Sequence, residues 1–212
     1  MLLRFPLDII ELIVIRTESY FCYTLLCDVF EGLKNEQRRL RIINALTKKA
    51  EYHQGDPPYN VMCTRYSLDG YLHRENDLPA IEYDNGHKEW IRHGLLHRDD
   101  DKPAVIQSCG TNAWYQNGKL HRDDDKPAIE FISGSKHYYR NGFRHRVAGK
   151  PAIVAHDGTK KWYFNGVLHR DNGLPAVEWA NGEKEWWYKG ERYIFREHLS
   201  SSRDSLECVL IK

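Results

Sequence analysis

Apolar and polar positions follow two different rules along this chain. Over residues 1–52 the apolar positions recur at helical spacing: Ile9, Ile10, Leu12 and Ile13, then Phe21, Leu25, Leu26, Val29 and Phe30, then Leu40, Ile43 and Leu46. Pro6 suits a first helical turn and Asp8 its positive end. Thr17, Ser19 and Asn35 offer caps for two further helices, and Gly32 a stop. The pattern predicts a helical module. From residue 66 onward the apolar positions come in short runs punctuated by Gly and Pro, which predicts strands joined by tight turns. Residues 53–65, with Gly55, Pro57 and Pro58, read as a linker or an irregular half-repeat.

The strand region repeats without insertion or deletion. His-Arg occurs at His73, His97, His121, His145 and His169, each step being 24 residues. Pro79, Pro103, Pro127, Pro151 and Pro175, each followed by Ala, keep the same step, as do two glycine series and an aromatic series from Tyr66 to Trp186. A fixed period of this length is the mark of stacked repeats. In the unit beginning at Pro79, residues 80–84 form one strand and Asn85-Gly86 a two-residue turn of type I′. Residues 87–92 return, His93-Gly94 turns again, and residues 95–98 form a third strand. This register sets Ile81 opposite Trp90, and then Trp90 opposite His97 and Ile91 opposite Leu96. One face then carries Ile81, Trp90 and His97. The other carries Ala80, Ile91 and Leu96, with Tyr115, Tyr139, Tyr163 and Trp187 as later equivalents of Ile91.

Charge and cysteine usage narrow the function classes. Lys and Arg total 31 against 30 Asp and Glu, a formal net charge of +1. That balance lacks the basic excess of a general nucleic-acid binder. The five cysteines, Cys22, Cys27, Cys63, Cys109 and Cys208, are odd in number and lack the spacing of a zinc knuckle or redox pair, so reduced thiols in an intracellular protein are expected. The apolar stretch over residues 7–15 is interrupted by Asp8 and Glu11. It is too short for a membrane span of about 20 residues, and no secretory cleavage site follows it.

The repeated histidines invite a metal site, but spacing opposes it. Equivalent positions lie two strands apart, about 9–10 Å, whereas zinc ligands sit about 2.0–2.1 Å from the ion. Each imidazole is expected to pack on the Trp or Tyr of its own unit and to bond a backbone carbonyl. The acidic runs at Asp99–Asp101 and Asp123–Asp125 lack the alternation of a calcium loop, and read as turn-capping aspartates paired with the preceding Arg. No nucleophile elbow, activated cysteine or phosphate-cradling glycine loop is present. No catalytic residue, metal, cofactor or small-molecule substrate is expected, and the chain does not read as an enzyme.

The stretch 162–169, Trp-Tyr-Phe-Asn-Gly-Val-Leu-His, resembles the MORN repeat, a β-hairpin unit with an aromatic-x-x-Gly-x-x-His core. The period here is one residue longer than usual, and Arg-Asp-x-x-x-Pro-Ala replaces the glycines that normally follow His. In this it is similar to MORN-like proteins of large DNA viruses of protists. The resemblance implies an elongated single-layer antiparallel sheet with an interaction role. The expected class is therefore α+β. A helical module spans 1–52, a linker or half-repeat 53–65, and five full units with a half-unit 66–190. A C-terminal cap spans 191–212, with a short covering helix within 197–210.

Residues 5–13, Phe-Pro-Leu-Asp-Ile-Ile-Glu-Leu-Ile, resemble the opening of an F-box. That resemblance implies docking onto a Skp-type ubiquitin-ligase adaptor through Pro6, Ile9, Ile10, Leu12 and Ile13; the alternative is a plain helical cap on the first repeat. Tyr115, Tyr139, Tyr163 and Trp187 form either a partner-binding row or a packed side of the sheet. The expected function is a non-enzymatic protein–protein interaction scaffold. Rival readings are a phospholipid-associated protein, using Arg38, Arg39, Arg41, Lys48 and Lys49, and a structural component of a virus particle. The near-zero net charge weakens the phospholipid reading.

Overall fold

A computed structural model describes residues 47–54, 61–197 and 206–210. Among the described residues every regular element is a β-strand and none is a helix. The expected α+β class is corrected: the described chain is all-β. The clearest departure is Lys48–Gln54, of which the sequence pattern places residues 48–52 in the helical module and 53–54 in the linker. It is a strand that pairs antiparallel with Val61–Leu68 along its whole length, from Lys48 opposite Ser67 to Gln54 opposite Val61. Lys, Ala and Glu favour helix, but over a few residues that preference is small, and pairing with a neighbouring strand overrides it. The helices expected over residues 1–46 lie outside the described residues. The covering helix expected within 197–210 is likewise replaced by a strand, Leu206–Leu210, antiparallel to Glu191–Glu197.

Contacts divide the chain into two units, Met1–Asp100 with Ala104–Ser108 and Asp101–Pro103 with Cys109–Lys212. In the first, the strands lie in the order Lys48–Gln54, Val61–Leu68, Ile81–Tyr83, Lys88–Glu89, Val105–Ile106. In the second, the order from Asn112–Ala113 to Leu206–Leu210 follows the sequence, apart from short hairpins that stand off the main sheet. All pairings are antiparallel, and each repeat hands over directly to the next. Glu89 pairs with Val105, His137 with Ile153, and Lys161 with Val177.

The two turns of each unit differ in kind. At the second turn His93 and Gly94 both have positive φ (48° and 78°), as a type I′ turn requires, and Ile91 faces Leu96 as expected. At the first turn Ile81 faces Glu89, not Trp90, so the expected register is off by one. Only Gly86 has positive φ (88°); its N–H donates to the Tyr83 carbonyl at 2.9 Å, and the Tyr83 N–H donates to the His87 carbonyl at 2.9 Å. This is a three-residue loop: a type I turn closed by a left-handed glycine bulge. Asn85 serves it through its side chain, whose Oδ1 accepts the His87 N–H at 2.9 Å.

The return strand is divided at Trp90. Lys88–Glu89 belongs to the main sheet, whereas Ile91–Arg92 pairs with Leu95–Leu96 in a separate hairpin. Trp90 links the two: its N–H donates to the Ala104 carbonyl at 2.7 Å and its carbonyl accepts the His97 N–H at 3.0 Å. Trp114, Tyr138 and Trp162 repeat this junction. Behind it lies the core. Ala80, Ala104, Ala128, Ala152 and Ala176 are fully buried, beside Ile81, Val105, Ile153 and Val177 and the aromatic of each junction. Alanine recurs there because the close-packed backbones leave no volume for a larger side chain.

Candidate interaction face

The loop edge of each repeat is a closed network. Arg98 lies 3.6 Å over the Trp90 ring, Arg122 3.7 Å over Trp114, Arg146 3.6 Å over Tyr138 and Arg170 3.7 Å over Trp162. It is therefore arginine, not histidine, that packs on the aromatic; a planar guanidinium matches a ring face in a way a bonded imidazole does not. The forks of Arg98, Arg122 and Arg146 then reach the loop of the preceding repeat, whereas Arg170, facing Gly149 there, bonds Glu178. Arg122 donates to both oxygens of Asp101 (2.7 and 3.2 Å), and Arg146 does the same with Asp125 (2.7 and 3.1 Å). Arg122 also donates to the Pro127 carbonyl at 3.2 Å and to Glu130 at 3.2 Å. The arginine bonds hold the carboxyls of Asp101 and Asp125 down at about 2. The expected pairing of the aspartates with the preceding Arg is thus corrected: Asp101 and Asp125 take the Arg of the next repeat, while Asp99 takes Arg92 and His97.

The acidic triplets have a structural account residue by residue. Asp123 faces His121, with 3.0 Å to Nε2, while Asp124 and Asp125 both adopt positive φ (58° and 55°), which short polar side chains tolerate. The histidines link neighbouring hairpins. Nδ1 accepts the turn N–H of the following repeat: His121 from Asn141 at 3.1 Å, His145 from Asn165 at 3.3 Å, His169 from Lys189 at 3.2 Å. An accepting Nδ1 leaves the proton on Nε2, aimed at the carboxylate two residues on. The expected bond to a carbonyl is corrected to this acceptance. His145 breaks the series, because Val147 stands where the carboxylate should be. Burial and the nearby Arg140 lower its pKa. No group of three or more His, Cys, Asp or Glu side chains among the described residues is placed to hold a metal ion.

The hairpins have two sides, since directly opposed residues point the same way. Tyr115, Tyr139, Tyr163 and Trp187, the row singled out by sequence, occupy one side and are half-buried. Arg144 lies 5.8 Å from the Tyr139 ring centre and 5.5 Å from that of Tyr163, so these rings serve hairpin stacking. Pro6, Ile9, Ile10, Leu12 and Ile13 lie outside the described residues.

The other side is where the repeat stops repeating. Positions 116, 140, 164 and 188 read Gln, Arg, Phe, Tyr, and positions 119, 143, 167 and 191 read Lys, Phe, Val, Glu. Here Phe143 is 58% exposed, Phe164 55%, Tyr188 45% and Val167 43%. Turn glycines let the hairpins close up. A Cβ on Gly166 would sit 3.1 Å from Phe143 Cδ1, and one on Gly190 3.0 Å from Val167 Cγ1. Histidines bridge the rings: centroids are 5.1 Å apart for His145–Phe164 and 4.8 Å for His169–Tyr188. Two grooves open along the strip. One of about 420 Å³ is lined by Phe164, Val167, His169 and Tyr188. The other, of about 370 Å³, runs from Phe164 to Val147 and Leu174. The departures in the loop and in the hairpins thus converge on one place. Sequence reasoning passed over these residues because it followed what recurs; the signal was the loss of recurrence.

Cys63 is a buried free thiol and Cys109 an exposed one. No helix of the described residues is long and apolar enough to cross a membrane. No family model, curated protein or solved structure matches the chain.

Proposed function

We propose that this chain is a non-enzymatic interaction scaffold of MORN-like hairpin repeats, and that it binds a protein partner through the strip of Phe143, Phe164, Val167 and Tyr188. One observation carries the reading: four large apolar side chains, each more than two-fifths exposed, lie on the same side of successive hairpins at positions the repeat does not constrain. Exposed aromatics set beside a groove are favoured anchors at protein interfaces. The recurring charges do not compete for this role, because they are spent on one another along the loop edge.

Affinity purification of the full chain, in parallel with Phe164→Ser, tests the reading. The expected result is a partner retained by the wild-type chain and lost by the variant at unchanged melting temperature. A partner set identical for both would overturn it. Co-sedimentation with anionic vesicles, equal for both chains and abolished by salt, would instead favour membrane association.

A further inference from the structure

The strip has a direction and a period, and both constrain what lies on it. It begins at Lys119 and Arg140, passes through Phe143, Phe164 and Val167, and ends at Tyr188. Among the described residues neither Lys119 nor Arg140 has a carboxylate within ion-pair distance, although the arginines of the loop edge are paired. Lys119 belongs to the strip by contact, since a Cβ on Gly142 would lie 3.7 Å from Lys119 Cβ. The strip therefore has a cationic end open to an acidic group, followed by an apolar run.

The backbone excludes one way of binding. The turn N–H groups of Gly142, Gly166 and Gly190 already donate to the carbonyls of Leu120, Arg144 and Leu168, each at 2.8–3.0 Å. These three N–H groups are therefore not free to pair with an added β-strand, and the strip offers its side chains. Successive hairpins are two strands of the main sheet apart, about 9–10 Å. A β-strand covers that distance in three residues but presents its first and fourth side chains to opposite faces. A polyproline II helix covers about 9.3 Å in three residues and returns to the same face, with its backbone needing no partner.

Resting on the scaffold reading, we infer that the strip takes a proline-rich segment of another protein in the polyproline II conformation. Its apolar side chains fall at every third residue on Phe143, Phe164/Val167 and Tyr188, and an acidic residue at one end meets Lys119 and Arg140. Three such steps call for a segment of about ten residues. Prolines on aromatic rings, with little conformational entropy to lose, are an established mode of peptide recognition.

Selection of random twelve-residue peptides on phage against the full chain tests this, followed by fluorescence polarisation of the most enriched peptide. Expected are prolines, apolar residues at three-residue spacing and an acidic end. Phe164→Ser should weaken binding at least tenfold, and Arg140→Glu about fivefold, each with an unchanged melting temperature. Enriched peptides that depend on Phe164 but show two-residue spacing or no acidic end would overturn the inference and leave the scaffold reading standing. Failure to enrich any peptide would overturn it too. A wild-type dimer in sedimentation analysis that Phe164→Ser dissociates would make the occupant a second copy of this chain. Binding indifferent to Phe164, together with an unchanged partner set in the purification, would remove the scaffold reading itself.

Discussion

The loop edge and the outer hairpin side belong to the same repeats, yet the first is a bonded network and the second an open surface. Along the loop edge, arginine, aromatic, proline and aspartate recur, and they bond one another within the repeat and across to the preceding one. On the outer hairpin side the residues change from unit to unit, and the side chains face solvent. The difference teaches that recurrence in this chain measures structural obligation. A residue that must meet its counterpart in the next unit cannot vary alone; one that meets only solvent or a partner can.

The comparison is most sharply tested in the core. Ala128→Leu places bulk in a fully buried position, and is expected to lower unfolding free energy by about 2–3 kcal/mol, measured by urea denaturation. Next is Arg122→Ala, which removes the stack on Trp114 and the fork on Asp101. A loss of about 2 kcal/mol is expected from lost charged hydrogen bonds and ring contact, read in the same titration. Acid should act on the same edge. The carboxyl of Asp125 is held at about 2 in the folded chain, against about 3.9 when unfolded. Its contribution is therefore complete above about pH 4 and lost as pH falls towards 2. Asp125→Asn should flatten the pH dependence of melting temperature in that window and nowhere else. The smallest stability effect is expected on the hairpin side, where Phe164→Ser should change unfolding free energy by less than about 0.5 kcal/mol. A large loss there would show that the strip is held by the fold and erase the contrast.

Much of the repeat was legible from residues alone. The second turn was readable because the two-residue loop expected at His93-Gly94 and its Asn-Gly equivalents is the one that forms, and the register of Ile91 with Leu96 follows from it. The first turn was not. Asn85-Gly86 suits a type I′ turn equally well, and whether one or both residues take positive φ depends on where the flanking strands must pair. The helical reading of residues 48–52 failed for a related reason: the helix preference of a short segment is a weak constraint, and Val61–Leu68 supplied a ladder. The histidine and arginine were adjacent in sequence, so nothing there said which would stack on the ring. Planarity and fork geometry, seen only with the aromatic in place, assign the stack to arginine.

The sequence by itself determined the period and the positions of the glycines and prolines, because these follow from local steric limits repeated every 24 residues. Tertiary structure alone decided which neighbour each charge meets and which side of each hairpin is left open. Those are relations between residues 20 or more positions apart, such as Arg122 with Asp101 and Asn141 with His121. Local preference carries no information about them until the repeats are stacked.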